Sequence, residues 1–258
     1  MSKIDELRGL HVPGDPLVLF NVWDAGSARV VARAGAAAIA TGSYGVAESL
    51  GYRDGQTVPL DLVLANLARI MSVTDLPVSV DMEAGYGDTV EQVASSVARA
   101  RDAGAAGINM EDRGPGQDAL VPVAQQAERL AAAASSGVFV NARCDVFRGR
   151  DAASEGKALV AGVIERARAY ADAGAGGLFV PFLSDAGCIA AICEASPLPV
   201  NILWSPACGD RAALARLGVA RISHGHQPWE AAMAMLEREA QTVLAGGTPG
   251  YAAQGRRY

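Results

Sequence analysis

Eight short runs rich in β-branched and apolar residues recur along the chain, separated by alanine-rich stretches with apolar residues at helical spacing. The runs are Leu17–Trp23, Ala37–Gly42, Val78–Met82, Gly107–Met110, Val138–Ala142, Gly177–Val180, Val200–Leu203 and Ala220–Ser223. Between them the helical pattern is clearest in Leu60–Val73, Val90–Ala103, Val123–Ala134, Ala158–Ala173, Asp185–Ala195, Arg211–Leu217 and Glu230–Leu244. Strands alternating with helices imply a parallel sheet, because each crossover must return the chain to the same end. Eight such units predict closure into an α/β barrel of the (β/α)8 TIM type. An open doubly wound sheet would need a phosphate-binding turn after the first strand. The turn there, Trp23-Asp24-Ala25-Gly26-Ser27, has no G-x-G-x-x-G pattern.

The junctions agree with this reading. Gly35, Gly104, Gly174 and Gly218 each stand between a helical stretch and the next run, where a left-handed residue ends a helix. Pro77 and Pro199 open strands, where a missing N–H costs little. The 258 residues are read as one barrel domain, 1–258, with a short N-terminal extension and a polar tail from about residue 246. Half of the residues are hydrophobic, enough for a large core. The net charge of -6 disfavours nucleic acid and anionic membrane surfaces as partners. Cys144, Cys188, Cys193 and Cys208 show no C-x-x-C spacing, and MSKIDELRGL has no apolar signal core. Reduced thiols and a cytoplasmic location are therefore expected.

In a (β/α)8 barrel the chemistry sits at the C-terminal ends of the strands. Asp81 and Glu83 lie two apart at the end of the third run, on one predicted face, and Glu111 ends the fourth. Three carboxylates on one rim repel each other unless protons or a cation sit among them. All-oxygen ligation suits Mg²⁺, with Mn²⁺ as the alternative, rather than zinc. Arg143, at the end of the fifth run, could grip a carboxylate or phosphate in two places, or could simply pair with Asp145 or a rim acid. Thr41-Gly42-Ser43 offers small side chains and backbone N–H groups for an anionic oxygen. Asn201 and Trp204 belong to the seventh strand end, and the sixth ends at Pro181 without a polar group. His224 and His226 are read as rim residues, and Cys144 as pointing outward by alternation.

Several motifs together resemble the isocitrate lyase / phosphoenolpyruvate mutase superfamily over nearly the whole chain, from about Leu17 to the helix after Trp229. They are Thr41-Gly42-Ser43 followed by Gly51-Tyr52-Arg53-Asp54, then Asp81-Met82-Glu83-Ala84-Gly85-Tyr86-Gly87, Asn109-Met110-Glu111-Asp112, and Asn141-Ala142-Arg143-Cys144-Asp145. The resemblance implies that Asp81 binds Mg²⁺ and that Asp54, Glu83 and Glu111 hold its waters. It implies that the amides of Ser43 and Tyr44 receive the substrate carboxylate and that Arg143 binds another anionic oxygen; Thr41, Gly42 and Asn201 are read, from their strand ends, as further substrate-binding residues. Arg143, Glu111 and Asp54 are the residues it brings to the chemistry. It also implies a homo-oligomer, a tetramer or a dimer, with a terminal helix exchanged between subunits.

Departures from the family pattern narrow the reaction. Its lyases carry a Lys-Lys/Arg-Cys-Gly-His lid after strand four, where this chain has Arg113-Gly114-Pro115-Gly116-Gln117-Asp118-Ala119-Leu120. Its phosphomutases place basic groups in that lid and a histidine near strand six. What remains is a cation site, a carboxylate cradle and an arginine. These suffice to hold a small 2-oxo acid and stabilise an enolate. The leading expectation is Mg²⁺-dependent C–C cleavage, as in an oxaloacetate-type decarboxylase or a lyase. A phosphoenolpyruvate or carboxyphosphonate phosphomutase or C–P hydrolase is the alternative, and a non-catalytic metabolite-binding protein is the second. Asp24, Tyr86 and Arg113 are further residues expected to shape specificity.

Overall fold

The computed structural model describes residues 1–251. The end of the expected polar tail lies outside the described residues. Eight strands follow one another in the chain: β1 Leu17–Leu19, β2 Ile39–Ala40, β3 Val78–Asp81, β4 Gly107–Glu111, β5 Phe139–Arg143, β6 Gly177–Val180, β7 Val200–Leu203 and β8 Arg221–Ser223. All pair in parallel with their neighbours, in the order β1-β8-β7-β6-β5-β4-β3-β2. The seam between β1 and β2 is closed just past β1, where Val22 bridges Thr41. Val22 N–H donates to Ala40 O at 2.9 Å and Gly42 N–H to Val22 O at 3.2 Å. The result is a (β/α)8 barrel.

The helices are α1 Lys3–Gly9, α2 Ala25–Arg33, α3 Ser43–Ser49, α4 Leu60–Met71, α5 Val90–Asp102, α6 Val123–Ala134, α7 Ala152–Asp172, α8 Ala186–Ala195, α9 Arg211–Arg216 and α10 Gln227–Leu244. The four junction glycines adopt positive φ, from 87° at Gly218 to 105° at Gly104, as helix-ending residues do. Outward-facing strand residues such as Val80, Ile108, Val140, Leu178 and Ile202 are fully or almost fully buried against the helix layer.

The N-terminal segment is not a mere extension. Ser2 and Asp5 form a capping box that starts α1. Its Leu7 packs with Leu17, Leu19, Ala38, Ala40, Ala106 and Phe139 in a separate apolar cluster. These are inward-facing residues near the N-terminal ends of the strands, so α1 stoppers the barrel at the end opposite the predicted site. Gly107 lets this happen, since a Cβ there would lie 2.6 Å from a Leu7 methyl carbon.

At the other terminus α10 buries only Pro228, while Met235, Leu236, Val243 and Leu244 are exposed. No helix among the described residues is long and apolar enough to cross a membrane.

Candidate active site

Strand ends β2 to β8 surround a cavity of about 330 Å³ at the C-terminal face. Its lining includes Gly42, Ser43, Tyr44, Asp54, Asp81, Glu83, Glu111 and Arg143 on one side and Phe179, Pro181, Phe182 and Leu203 on the other. A chamber of about 10 Å³, the scale of one water molecule, lies beside it between Thr41, Ser43, Asp81, Glu83 and Tyr86. Acid side chains thus meet Arg143 and Arg148 across a space that fits a small molecule.

Asp81 is the pivot. Its carboxylate accepts from Ser43 N–H at 3.2 Å and Glu83 N–H at 3.2 Å. Its backbone N–H donates to the Thr41 hydroxyl at 3.0 Å. Burial holds its carboxyl above the usual range, and the Arg143 charge only partly offsets that.

Glu83 does not share the strand with Asp81, as the two-residue spacing predicted. β3 stops at Asp81, and Glu83 adopts φ 48°, followed by Gly85 at 98° and Tyr86 at 52°. This left-handed turn is held by Gln56, whose side-chain oxygen accepts from Ala84 N–H at 3.0 Å and Tyr86 N–H at 3.2 Å. Arg129 grips its carbonyls at Ala84 and Gly87. The Glu83 carboxylate accepts from Gln56 N–H and from the Tyr86 hydroxyl, the latter at 3.1 Å. Burial first, then Asp81 and Asp54, push Glu83 up to about 8. The loop that carries Gln56 also brings Asp54 to the cavity rim.

Glu111 and Arg143 face each other from β4 and β5, in register in the ladder. Arg143 Nη1 lies 2.7 Å from Glu111 Oε2. Burial raises Glu111 to about 7 against the pull of that guanidinium. Arg143 Nε and Nη2 donate to the two oxygens of fully buried Asp145 at 2.6 and 2.9 Å. The bidentate grip expected for a substrate anion is therefore spent on Asp145, and only the remaining N–H directions of Arg143 serve a ligand. Asp145 is in turn set by Asp112, which accepts its backbone N–H at 2.9 Å.

Two residues expected at the substrate site, Thr41 and Asn201, sit away from the main cavity. Thr41 does not line the main cavity; it is buried and supports Asp81 from the small chamber. Asn201 is fully buried and does not line the cavity either. Inward alternation places it one layer down, bonded to the hydroxyl of Ser223, which does line the cavity. His224 and His226 do not share a strand face, because β8 ends at Ser223. His224 stacks on Trp204 at 5.3 Å, whereas His226 reaches the cavity. Cys144 is buried in the strand–helix layer as alternation predicted, and burial pushes its thiol up.

Sequence reasoning missed Asn21, Asn109, Arg148, Phe182 and Ser223, all of which line the cavity. Phe182 adopts φ 64°, a conformation costly for a bulky residue and frequent at ligand sites. Its ring lies 5.9 Å from Arg143 and 5.6 Å from Arg148. The inward alternation of β4 and β8 could have found Asn109 and Ser223. The loop residues carried no such signal.

A parallel barrel with an acid-and-arginine cavity at its C-terminal face has that cavity where (β/α)8 enzymes carry their active sites. The model for phosphoenolpyruvate phosphomutase matches residues 7–244, and the chain belongs to that family, within the phosphoenolpyruvate mutase / isocitrate lyase superfamily. A solved structure from Burkholderia cenocepacia, provisionally named a phosphonomutase, superposes with TM-score 0.88 at 47% identity, covering 93% of this chain and 99% of its own. An uncharacterised protein of Mycobacterium tuberculosis is 37% identical, over 92% of this chain and 88% of its own. The 2-methylisocitrate lyase of Escherichia coli is 32% identical, over 74% and 69% respectively. The oxaloacetate decarboxylase of Pseudomonas aeruginosa is 30% identical, over 83% and 75%.

Proposed function

We propose that this protein is a divalent-cation-dependent enzyme that cleaves a carbon–carbon bond of a small 2-oxo acid, with oxaloacetate-type decarboxylation as the leading reaction. The observation that carries this choice is the loop after β4. Its one basic residue, Arg113, forms a short bridge with Leu120 and donates to the loop's own carbonyls at Gln117 and Asp118. Its Nε lies 3.7 Å from Asp145, and Arg113 does not line the cavity. The loop thus brings no positive charge to a migrating phosphoryl group, which such transfer requires. The decarboxylase and lyase among the relatives support the same reading.

The donor set fits a hard cation such as Mg²⁺, or Mn²⁺. Asp81, Glu83, Glu111 and Asp54 offer oxygen only, and partial burial makes their mutual repulsion strong. Among the described residues no three acid, histidine or cysteine side chains converge on one point. Asp81 would be the cation's direct ligand, with Asp54, Glu83 and Glu111 holding its waters. Such a cation supplies Lewis-acid polarisation of the substrate's oxygens.

The chain's own groups bind and orient. The Tyr44 amide in the first turn of α3 receives the substrate carboxylate, the Ser43 amide being held by Asp81, and the free N–H directions of Arg143 hold a second oxygen. Phe179, Pro181, Phe182 and Leu203 form an apolar wall that limits water. Loss of carbon dioxide from a 3-carboxy-2-oxo acid needs an electron sink at the 2-oxo oxygen and no general base, which suits a site without a lid acid. The exposed apolar residues of α10 support a homo-oligomer in which this helix packs on another copy. The double variant Met235→Glu/Leu236→Glu should then reduce the mass seen by light scattering; an unchanged mass rejects that role for α10.

One observation favours C–P chemistry instead. The relative at 47% identity carries phosphonomutase in its provisional name, and Arg148 places a second guanidinium at the cavity. Proton and phosphorus NMR with Mg²⁺ and a panel of oxaloacetate, 2-methylisocitrate, phosphoenolpyruvate and phosphonopyruvate separates the two. EDTA-sensitive loss of oxaloacetate above the metal-only rate supports C–C cleavage. Turnover of the phosphorus compounds alone overturns it.

A further inference from the structure

Arg221 is fully buried on β8, inside the barrel, and the site described so far makes no use of it. Its hydrogen-bond partners are both neutral. Nε donates to Ser223 Oγ at 3.3 Å, Nη2 donates to Asn109 Oδ1 at 3.2 Å, and Nη1 has no partner. Burying a guanidinium without a carboxylate is expensive, and locally unfavourable features of this kind are concentrated at functional sites. Burial lowers its basicity to about 9, with Asp81 opposing, so it stays charged at neutral pH.

Both partners of Arg221 line the cavity floor. Asn109 Oδ1 accepts from Arg221 and, at 2.8 Å, from Asn141 Nδ2. With both lone pairs taken, the Asn109 amide nitrogen is the end left for the cavity. Ser223 Oγ accepts from Arg221 and, at 3.1 Å, from Asn201 Nδ2. Its own proton is then free to go to Asn201 Oδ1 at 3.2 Å or to a ligand above it. A buried cation thus turns two neutral side chains into donors aimed at one space.

We propose that Asn109 and Ser223 form an oxyanion-binding floor, with Arg221 and Asn201 as positioning residues, that receives an anionic oxygen of a small carboxylate substrate. This rests on the reading that the cavity takes a 2-oxo acid. It gives the substrate a contact beneath the rim, separate from the Tyr44 amide and Arg143, and it assigns Asn201 a part played through Ser223.

Calorimetric titration of oxalate and of pyruvate, with Mg²⁺ in excess, tests the floor without using turnover. Ser223→Ala and Asn109→Asp should each weaken oxalate about tenfold or more, the loss of one hydrogen bond to a charged group. Asn109→Asp keeps the acceptor that Arg221 and Asn141 need, so the fold is maintained. Arg221→Met should weaken oxalate at least as much while Mg²⁺ affinity holds or rises, because a positive charge has left the neighbourhood of the acids. A merely structural Arg221 would lower both affinities together. Oxalate binding within threefold of wild type in folded Ser223→Ala and Asn109→Asp overturns the floor alone. Failure of the wild type to bind either probe overturns the 2-oxo acid reading and the floor with it.

Discussion

Asp81→Ala should lower EDTA-sensitive turnover about a thousandfold or more, since Lewis-acid stabilisation of developing charge is worth several kcal/mol and each 1.4 kcal/mol is tenfold. Asp81 is the acid held by two backbone N–H groups, from Ser43 and Glu83, so its carboxylate is fixed before any ligand arrives. The same site predicts a pH signature in the protein stripped of cations. Glu83 is held at about 8 and Glu111 at about 7, chiefly by burial, both above their ordinary 4.5. The folded state binds these protons more tightly than the unfolded chain does. The stabilisation is therefore complete below about pH 4.5 and is lost as pH rises towards 8. Added Mg²⁺ must compete with those protons, so it should raise the melting temperature more at pH 8 than at pH 6. Asp81→Ala should remove that difference. Undiminished turnover in the variant, or an equal gain at both pH values, would show that the acids do not bind the cation.

The eight strands were legible because each is a short apolar run bounded by turn residues, and strand periodicity survives without tertiary information. The exceptions are instructive. Leu17–Trp23 was read as one strand, yet the ladder ends at Leu19 and the chain returns only at Val22 to close the barrel. Closure is a property of the whole sheet and leaves no local mark. α1 and α3 were missed because each is a mere seven residues long and neither shows a sustained apolar stripe; their starts lay in the Ser2–Asp5 capping pair and at Gly42. In the site, alternation placed Asp81, Glu111 and Arg143 at the cavity. It failed for Glu83, whose position comes from a left-handed turn tied to Gln56, a residue 27 positions earlier. It also could not show that Arg143 spends its fork on Asp145, because that depends on what else holds Asp145.

That dependence makes Asp112 the residue whose loss should cost most in stability. Asp112 is fully buried and accepts three donors: Asp145 N–H at 2.9 Å, Arg166 Nη1 at 3.1 Å and the Tyr170 hydroxyl at 2.8 Å. Asp112→Ala leaves the Arg166 charge with only the neutral Val121 carbonyl and Tyr170 hydroxyl as partners, and the Asp145 amide with none, in the strand–helix layer. Breaking a buried pair from one side costs about 3–5 kcal/mol, which in a chain of this size lowers the melting temperature by roughly 10 °C. Asp112→Asn, which keeps the volume but not the charge, should fall by less. Tyr170→Phe removes two hydrogen bonds, one given to Asp112 and one taken from Arg166, and should cost about 2 kcal/mol. The effect should also reach the site, because Asp112 fixes the backbone of Asp145 and Asp145 fixes Arg143. At a temperature where Asp112→Asn remains folded, its oxalate affinity should therefore fall while Tyr170→Phe stays near wild type. A melting temperature within 2 °C of wild type for Asp112→Ala would mean that Arg166 and Tyr170 find other partners, and that the placement of Arg143 rests on β5 alone.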